Sequence, residues 1–141
     1  YPSLEEEKAI LYRFRSDFKL NEGKNVHPVF SAEEIVECQD LIQKVYIREE
    51  LLDYIADIVH ETRHNTALFL GASPRASLAI LRMSKAMAAL NGRSYVLPED
   101  IQHVAYPVLN HRVILTPERE MEAYTTEEVI KDIIEKLEVP R

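Results

Sequence analysis

Residues 71–101 read GASPRASLAILRMSKAMAALNGRSYVLPEDI, and their pattern decides the fold. Ser73 is a good helix N-cap, and Pro74 fits the first helical position, where a missing N–H is no loss. Ala76, Ile80, Met83, Met87 and Leu90 recur at helical spacing and predict the apolar face of a helix from Ser73 to Asn91. Gly92 supplies the left-handed stop that commonly ends a helix. Pro98 starts the next helix, with Ile101, Val104, Ala105 and Val108 facing inward, and Pro107 is expected to end or kink it.

Arg75 is the odd residue in this run. It falls in the first turn of a helix, where the peptide dipoles already place partial positive charge. The penalty is small, a few tenths to about 1 kcal/mol, so a surface arginine with a solvated head is tolerated there. The placement makes more sense beside an anion, because free backbone N–H groups and a guanidinium would then aim at one phosphate. Arg82 lies two turns on, close to the same face.

The same kind of pattern recurs along the rest of the chain. Ser3 and Glu6 have capping-box spacing and start a helix that runs to about Phe14, with Glu5, Glu6 and Glu7 in its acidic first turn. Residues 15–30 are polar, carry Gly23 and Pro28, and read as a loop. Ser31 and Glu34 open a second helix to about Lys44, with Ile35, Cys38, Ile42 and Val45 on one side. Val45–Ile47 is a strand or a connector. A third helix spans Arg48 to His64 around the stripe Leu51, Ile55, Ile58, Val59 and Thr62. His111–Leu115 is β-branched and reads as extended. A sixth helix follows Thr125, with Glu128 at capping-box spacing and Val129, Ile130, Ile133, Ile134 and Leu137 facing in. Each helix has one apolar stripe, so the expected fold is all-α: a compact bundle of about six helices with one or two very short extended segments. No second domain is expected.

The composition sets further bounds. With 141 residues, 46% hydrophobic and 29% charged, the chain can build a real core. A net charge of −7 argues against gripping nucleic acid through its phosphates. The lone Cys38 cannot form an intrachain disulfide, which suits a reducing, cytoplasmic setting. No apolar run approaches the roughly 18 residues of a membrane span, and no signal peptide is seen. The chain starts at Tyr1 in what already reads as the beginning of a helix, so a fragment of a larger protein is expected.

Two catalytic motifs need weighing. His60-Glu61-Thr62-Arg63-His64 matches HExxH, in which two histidines four apart bind zinc and the glutamate activates water. Here the histidines continue the polar stripe of Asp53 and Asp57, and no metzincin extension follows, so a solvated helix face is the plainer reading. A phosphate-binding loop needs GxxxxGK[ST]. Gly23-Lys24 fails it, because Phe18 stands at the first glycine and Asn25 at the hydroxyl residue.

The run GASPRASLAILRMSKAMAALNGRSYVLPEDI resembles the lid of MoxR-type AAA+ ATPases and, more loosely, the lids of magnesium-chelatase subunits. YPSLEEEKAIL, VFSAEEI, VYIREELLDYIADIV and VLNHRVILTPE are similar to further segments of that family. Nearly the whole chain is covered, residues 15–27 least distinctively. The resemblance implies one AAA+ helical lid subdomain over 1–141, with its ATP-binding core upstream. It places the sensor 2 role on Arg75, reaching the γ-phosphate of ATP held mainly by that core. Ser73 and Pro74 are then candidates around the nucleotide, and Arg82, His111 and Arg112 are intersubunit or structural candidates; Arg63, near the inner edge of its helix, is a candidate to orient Arg75 or a phosphate, with a surface arginine on a buried stem the plainer reading. ATP and Mg2+ would serve the full-length protein and not bind tightly to this fragment, which alone is not expected to be catalytic. The implied partners are the chain's own core, further copies in a homo-hexamer, and von Willebrand A-domain proteins matured or remodelled in a chaperone-like way. No metal site, nucleic acid or membrane is expected. A standalone helical interaction module is the alternative, and a zinc hydrolase using His60, Glu61 and His64 a remote one.

Overall fold

A computed structural model describes residues 1–15 and 27–140. The expected loop over 15–30, with its Gly23-Lys24 pair, falls largely outside the described residues. The chain divides into two compact units, 1–36 and 37–141, with the boundary inside the second helix.

In the first unit, α1 (Leu4–Phe14) begins at a complete capping box. The Ser3 N–H donates to Glu6 Oε2 at 2.7 Å, and the Glu6 N–H donates to Ser3 Oγ at 3.4 Å. α1 buries none of its side chains. The start of α2 (Ala32–Gln43) repeats the device, with Ser31 N–H on Glu34 Oε2 and Glu34 N–H on Ser31 Oγ.

The second unit holds the core. It contains the rest of α2, then α3 (Glu49–His64), β1 (Leu68–Leu70), α4 (Pro74–Leu90), α5 (Pro98–Leu109), β2 (Ile114–Leu115), α6 (Pro117–Met121) and α7 (Thr126–Lys136). The core is built mainly by helices: Leu51, Ile55, Ile58 and Val59 of α3 pack with Ala76 and Ile80 of α4, Ile101, Val104 and Leu109 of α5, and Ile130 of α7. A satellite of Ala67, Leu115, Val129 and Ile133 lies under the small sheet. There β1 and β2 pair antiparallel, with Leu68 opposite Leu115 and Leu70 opposite Ile114. β2 lies in the segment expected to be extended, and the Val45–Ile47 connector makes a single parallel bridge, Tyr46 to Tyr95.

The all-α expectation holds, with the helix count sharpened and two local expectations corrected. The described residues form seven helices, because Thr116 caps a five-residue α6 whose short sequence shows no apolar period. The buried face of α4 is Ala76, Ile80, Ser84 and Ala88, whereas Met83 is 47% and Leu90 83% exposed. α4 packs most extensively against α5, and three of the four residues in its buried i, i+4 row, Ala76, Ser84 and Ala88, are small enough to allow close approach. Large apolar side chains on the neighbouring stripe are left outside. α5 also runs through Pro107 to Leu109. The carbonyl that loses its partner belongs to His103, which shares an exposed face with Pro107, so water can replace the lost bond. Burial of Val108 and Leu109 holds the last turn in place.

The α4–α5 turn is closed by charge. Gly92 takes a left-handed φ of 70°, as expected of a helix stop. Arg93 then folds back: Nη1 and Nη2 donate to Asp100 Oδ2 and Oδ1 at 2.7 and 2.6 Å, a bidentate fork. Asp100 Oδ2 also accepts from the Leu97 N–H at the α5 N-terminus, at 2.8 Å. Burial of Asp100 favours its neutral form, but the Arg93 fork and the Leu97 N–H outweigh that and hold its carboxyl below its ordinary pKa. A depressed carboxyl contributes stability that is complete above its unfolded pKa and is lost as pH falls through the folded one. Asp100→Ala should therefore cost about 2–3 kcal/mol at neutral pH, read from the urea midpoint. The gap to wild type should narrow as pH drops below about 4.

Candidate functional site

The segment from Gly71 to Arg75 is built against the last turns of α3. Gly71 passes so close to that helix that a Cβ on it would lie 2.6 Å from the Thr62 carbonyl oxygen and 2.7 Å from Arg63 Cα. Ala72 comes next and is 1% exposed. Its N–H donates to Thr62 Oγ1 at 2.9 Å, while the Thr62 hydroxyl donates onward to the Val59 carbonyl at 2.6 Å. Its carbonyl accepts from Arg63 Nε at 2.8 Å. Both backbone groups of Ala72 are thus satisfied by side chains of α3. β1 leads into this segment and is held on its other edge by β2, with the Thr116 N–H on the Ala67 carbonyl at 3.0 Å.

Ser73 occupies the N-cap position with extended backbone, φ −80° and ψ 165°, and Pro74 is the first helical residue, as the sequence predicts. The Ser73 side chain makes no capping bond, which departs from the expected N-cap role. α4 is also the one helix among the described residues with no acid in its first turn; each of the other six has two or three. Arg75 projects from this uncompensated terminus and is exposed, and so is Arg82. Among the described residues neither has an ion-pair partner.

The other candidates fall in two places. Asp57, His60 and Arg63 of α3 share a groove with Pro74 and Ser77 of α4, so the candidates Arg63 and Pro74 are brought together there. His111 and Arg112 lie in the turn between α5 and β2; His111 is exposed, and Arg112 is half-buried with its Nε atom buried and unpartnered. No hydrogen bond or ion pair among the described residues joins them to the 71–75 segment.

The HExxH histidines are exposed and stack on each other, ring centroids 4.2 Å apart. His64 Nδ1 is 3.0 Å from the His60 carbonyl. Among the described residues no group of three or more His, Cys, Asp or Glu side chains could hold a metal ion, so the pair has no third ligand. Thr62, an unspecified position of that motif, is buried and accepts the Ala72 N–H. No described helix is long and apolar enough to cross a membrane.

Residues 60–133 match the family model of the AAA lid domain. The chain belongs to that family. It is 34% identical over 140 residues to the uncharacterized protein YeaC of Bacillus subtilis, covering 99% of this chain and 43% of that protein. It is 30% identical over 150 residues to the chaperone MoxR1 of Mycobacterium tuberculosis, covering 100% of this chain and 38% of that one. Among solved structures it is similar to a candidate ATPase from Cytophaga hutchinsonii, with a TM-score of 0.78 at 37% identity over 100% of this chain and 44% of that chain. The lid therefore spans less than half the length of these relatives, and the resemblance to MoxR-type AAA+ lids read from its sequence holds.

Sequence reasoning took Thr62 only as part of an inward stripe and did not single out Arg93 or Asp100. The signal for the latter pair was present: an acid at the third helical position after Pro98, with an arginine just beyond the preceding glycine stop. Nothing in the local pattern marks Thr62, because its partner is ten residues away in the next segment.

The close seat of Gly71 has a measurable consequence. Its obstacles are backbone atoms of a packed helix, which cannot swing aside as a flexible side chain would. Gly71→Ala should destabilise the lid by about 2 kcal/mol or more in urea unfolding. Gly92→Ala meets nothing within 4 Å and should cost only the left-handed backbone penalty, about 1–2 kcal/mol.

Proposed function

We propose that this lid closes over ATP bound in a core domain of a longer chain, with Arg75 as the sensor 2 arginine that contacts the γ-phosphate. The supporting observation is the start of α4: an exposed arginine on a helix terminus without an acid or a side-chain cap, on a backbone held from behind. An anion placed there gains from the open N–H groups, the helix dipole and the guanidinium together. With the phosphate present the lid is drawn toward the core, and with it gone that attraction is lost. The lid angle then follows the nucleotide state, a ligand-driven shift between domain orientations.

In this reading the described residues supply no cluster that could hold Mg2+, so its ligands and the phosphate cradle belong to the core. Membership of the AAA lid family and similarity to a protein named as a chaperone support a nucleotide-driven machine that matures or remodels other proteins. A homo-hexamer, von Willebrand A-domain clients and a cytoplasmic setting complete the proposal. Ser73 and Pro74 shape the start of the helix, and Arg82 and the His111-Arg112 turn are available to a neighbouring subunit.

In the longer protein, Arg75→Ala should lower ATP turnover by about tenfold or more, the scale of losing a contact made to developing charge, while the circular dichroism of the lid is unchanged. Unchanged turnover would remove Arg75 from the mechanism. The 141-residue lid alone should bind ATP only weakly in calorimetry, and sub-micromolar binding would contradict a site shared between two domains.

A further inference from the structure

We infer that Arg63 is a positioning residue, which aims Arg75 by holding the Ala72 carbonyl rather than by touching nucleotide itself. The inference rests on the sensor reading of Arg75. Its basis is how little freedom lies between the two arginines. Ala72 is fixed at both ends, its N–H on Thr62 Oγ1 and its carbonyl on Arg63 Nε, and Gly71 behind it is wedged against the α3 backbone. Pro74 locks its own φ and confines the residue before it to extended backbone, which is where Ser73 stands with ψ 165°. From Ala72 onward the path to the Arg75 Cα therefore has almost no soft torsion left. Where Ala72 is held, Arg75 is pointed.

The donor that does this is Nε, the atom nearest the aliphatic stem of Arg63, and it engages a neutral carbonyl. A role through charge and a role through this N–H make opposite demands on a replacement. Glutamine places an N–H donor, Nε2, at the same position along the side chain, without charge. Lysine keeps the charge and puts a methylene there. Methionine keeps neither.

The test uses Arg63→Gln, Arg63→Lys and Arg63→Met, first in this chain by 15N–1H correlation spectra. The Met and Lys variants should displace the Ala72 and Arg75 amide resonances, and Gln should leave them near wild type; three indistinguishable spectra would overturn the clamp. In the longer ATPase, Met and Lys should lower turnover about tenfold or more, whereas Gln should stay within about threefold of wild type. On top of Arg75→Ala, Arg63→Met should cause no additional loss, since a residue acting only through Arg75 has nothing left to act through. An active Lys variant with an inactive Gln variant would assign Arg63 a charge contact with phosphate and overturn the proposal. A full further loss in the double variant would do the same. If Arg75→Ala leaves turnover unchanged, the sensor reading falls and takes the catalytic consequence with it, while the spectra still uphold or refute the clamp.

Discussion

Ala72 is buried, so its N–H and its carbonyl must both find partners inside the protein or each forfeit the desolvation penalty of an unmet polar group. Strand β1 ends two residues before it, and α4 begins two residues after it, so neither ladder reaches it. The partners come from consecutive residues of α3, Thr62 from the buried side and Arg63 from the exposed side. That arrangement demands a backbone-to-backbone approach only a glycine permits, which is why Gly71 precedes it. The core packing of Ala76 and Ile80 seats α4 against α3, and the two hydrogen bonds of Ala72 fix where its first turn begins.

The charge pattern of the lid is organised around the same point. Elsewhere the helix N-termini carry their own acids, in several cases as capping boxes that compensate the dipole locally. At α4 the compensation is withheld and a cation is added. A protein folding for stability alone gains nothing by this, and the proposed anion contact at Arg75 would account for the departure.

Much of this was legible in the sequence. Helix starts were marked by Ser3, Ser31, Pro74, Pro98 and Thr125 because caps are local chemistry, decided by residues within one turn. The inward stripes of α3, α5 and α7 followed from apolar period. The stripe of α4 did not, because the residues that pack closest there are small, and hydrophobicity ranks Met83 and Leu90 above Ser84 and Ala88. The short β1 escaped notice since three residues carry no period, and its pairing with β2 spans more than forty positions. At the site, Arg75 was visible as a local anomaly, and the Thr62–Arg63 grip on Ala72 was not, being a tertiary contact between segments that each look ordinary alone.

One consequence of the small sheet concerns mechanics. β1 immediately precedes α4 and β2 closely follows α5, so pairing the strands ties together the two open ends of the α4–α5 hairpin. At the other end the hairpin is fastened by the Arg93–Asp100 fork. Two struts joined at both ends form a closed frame, and a closed frame resists shear and twist where an open pair of rods would slide. In the proposed mechanism, a pull on the first turn of α4 would turn the α4–α5 hairpin as one frame instead of sliding one helix past the other.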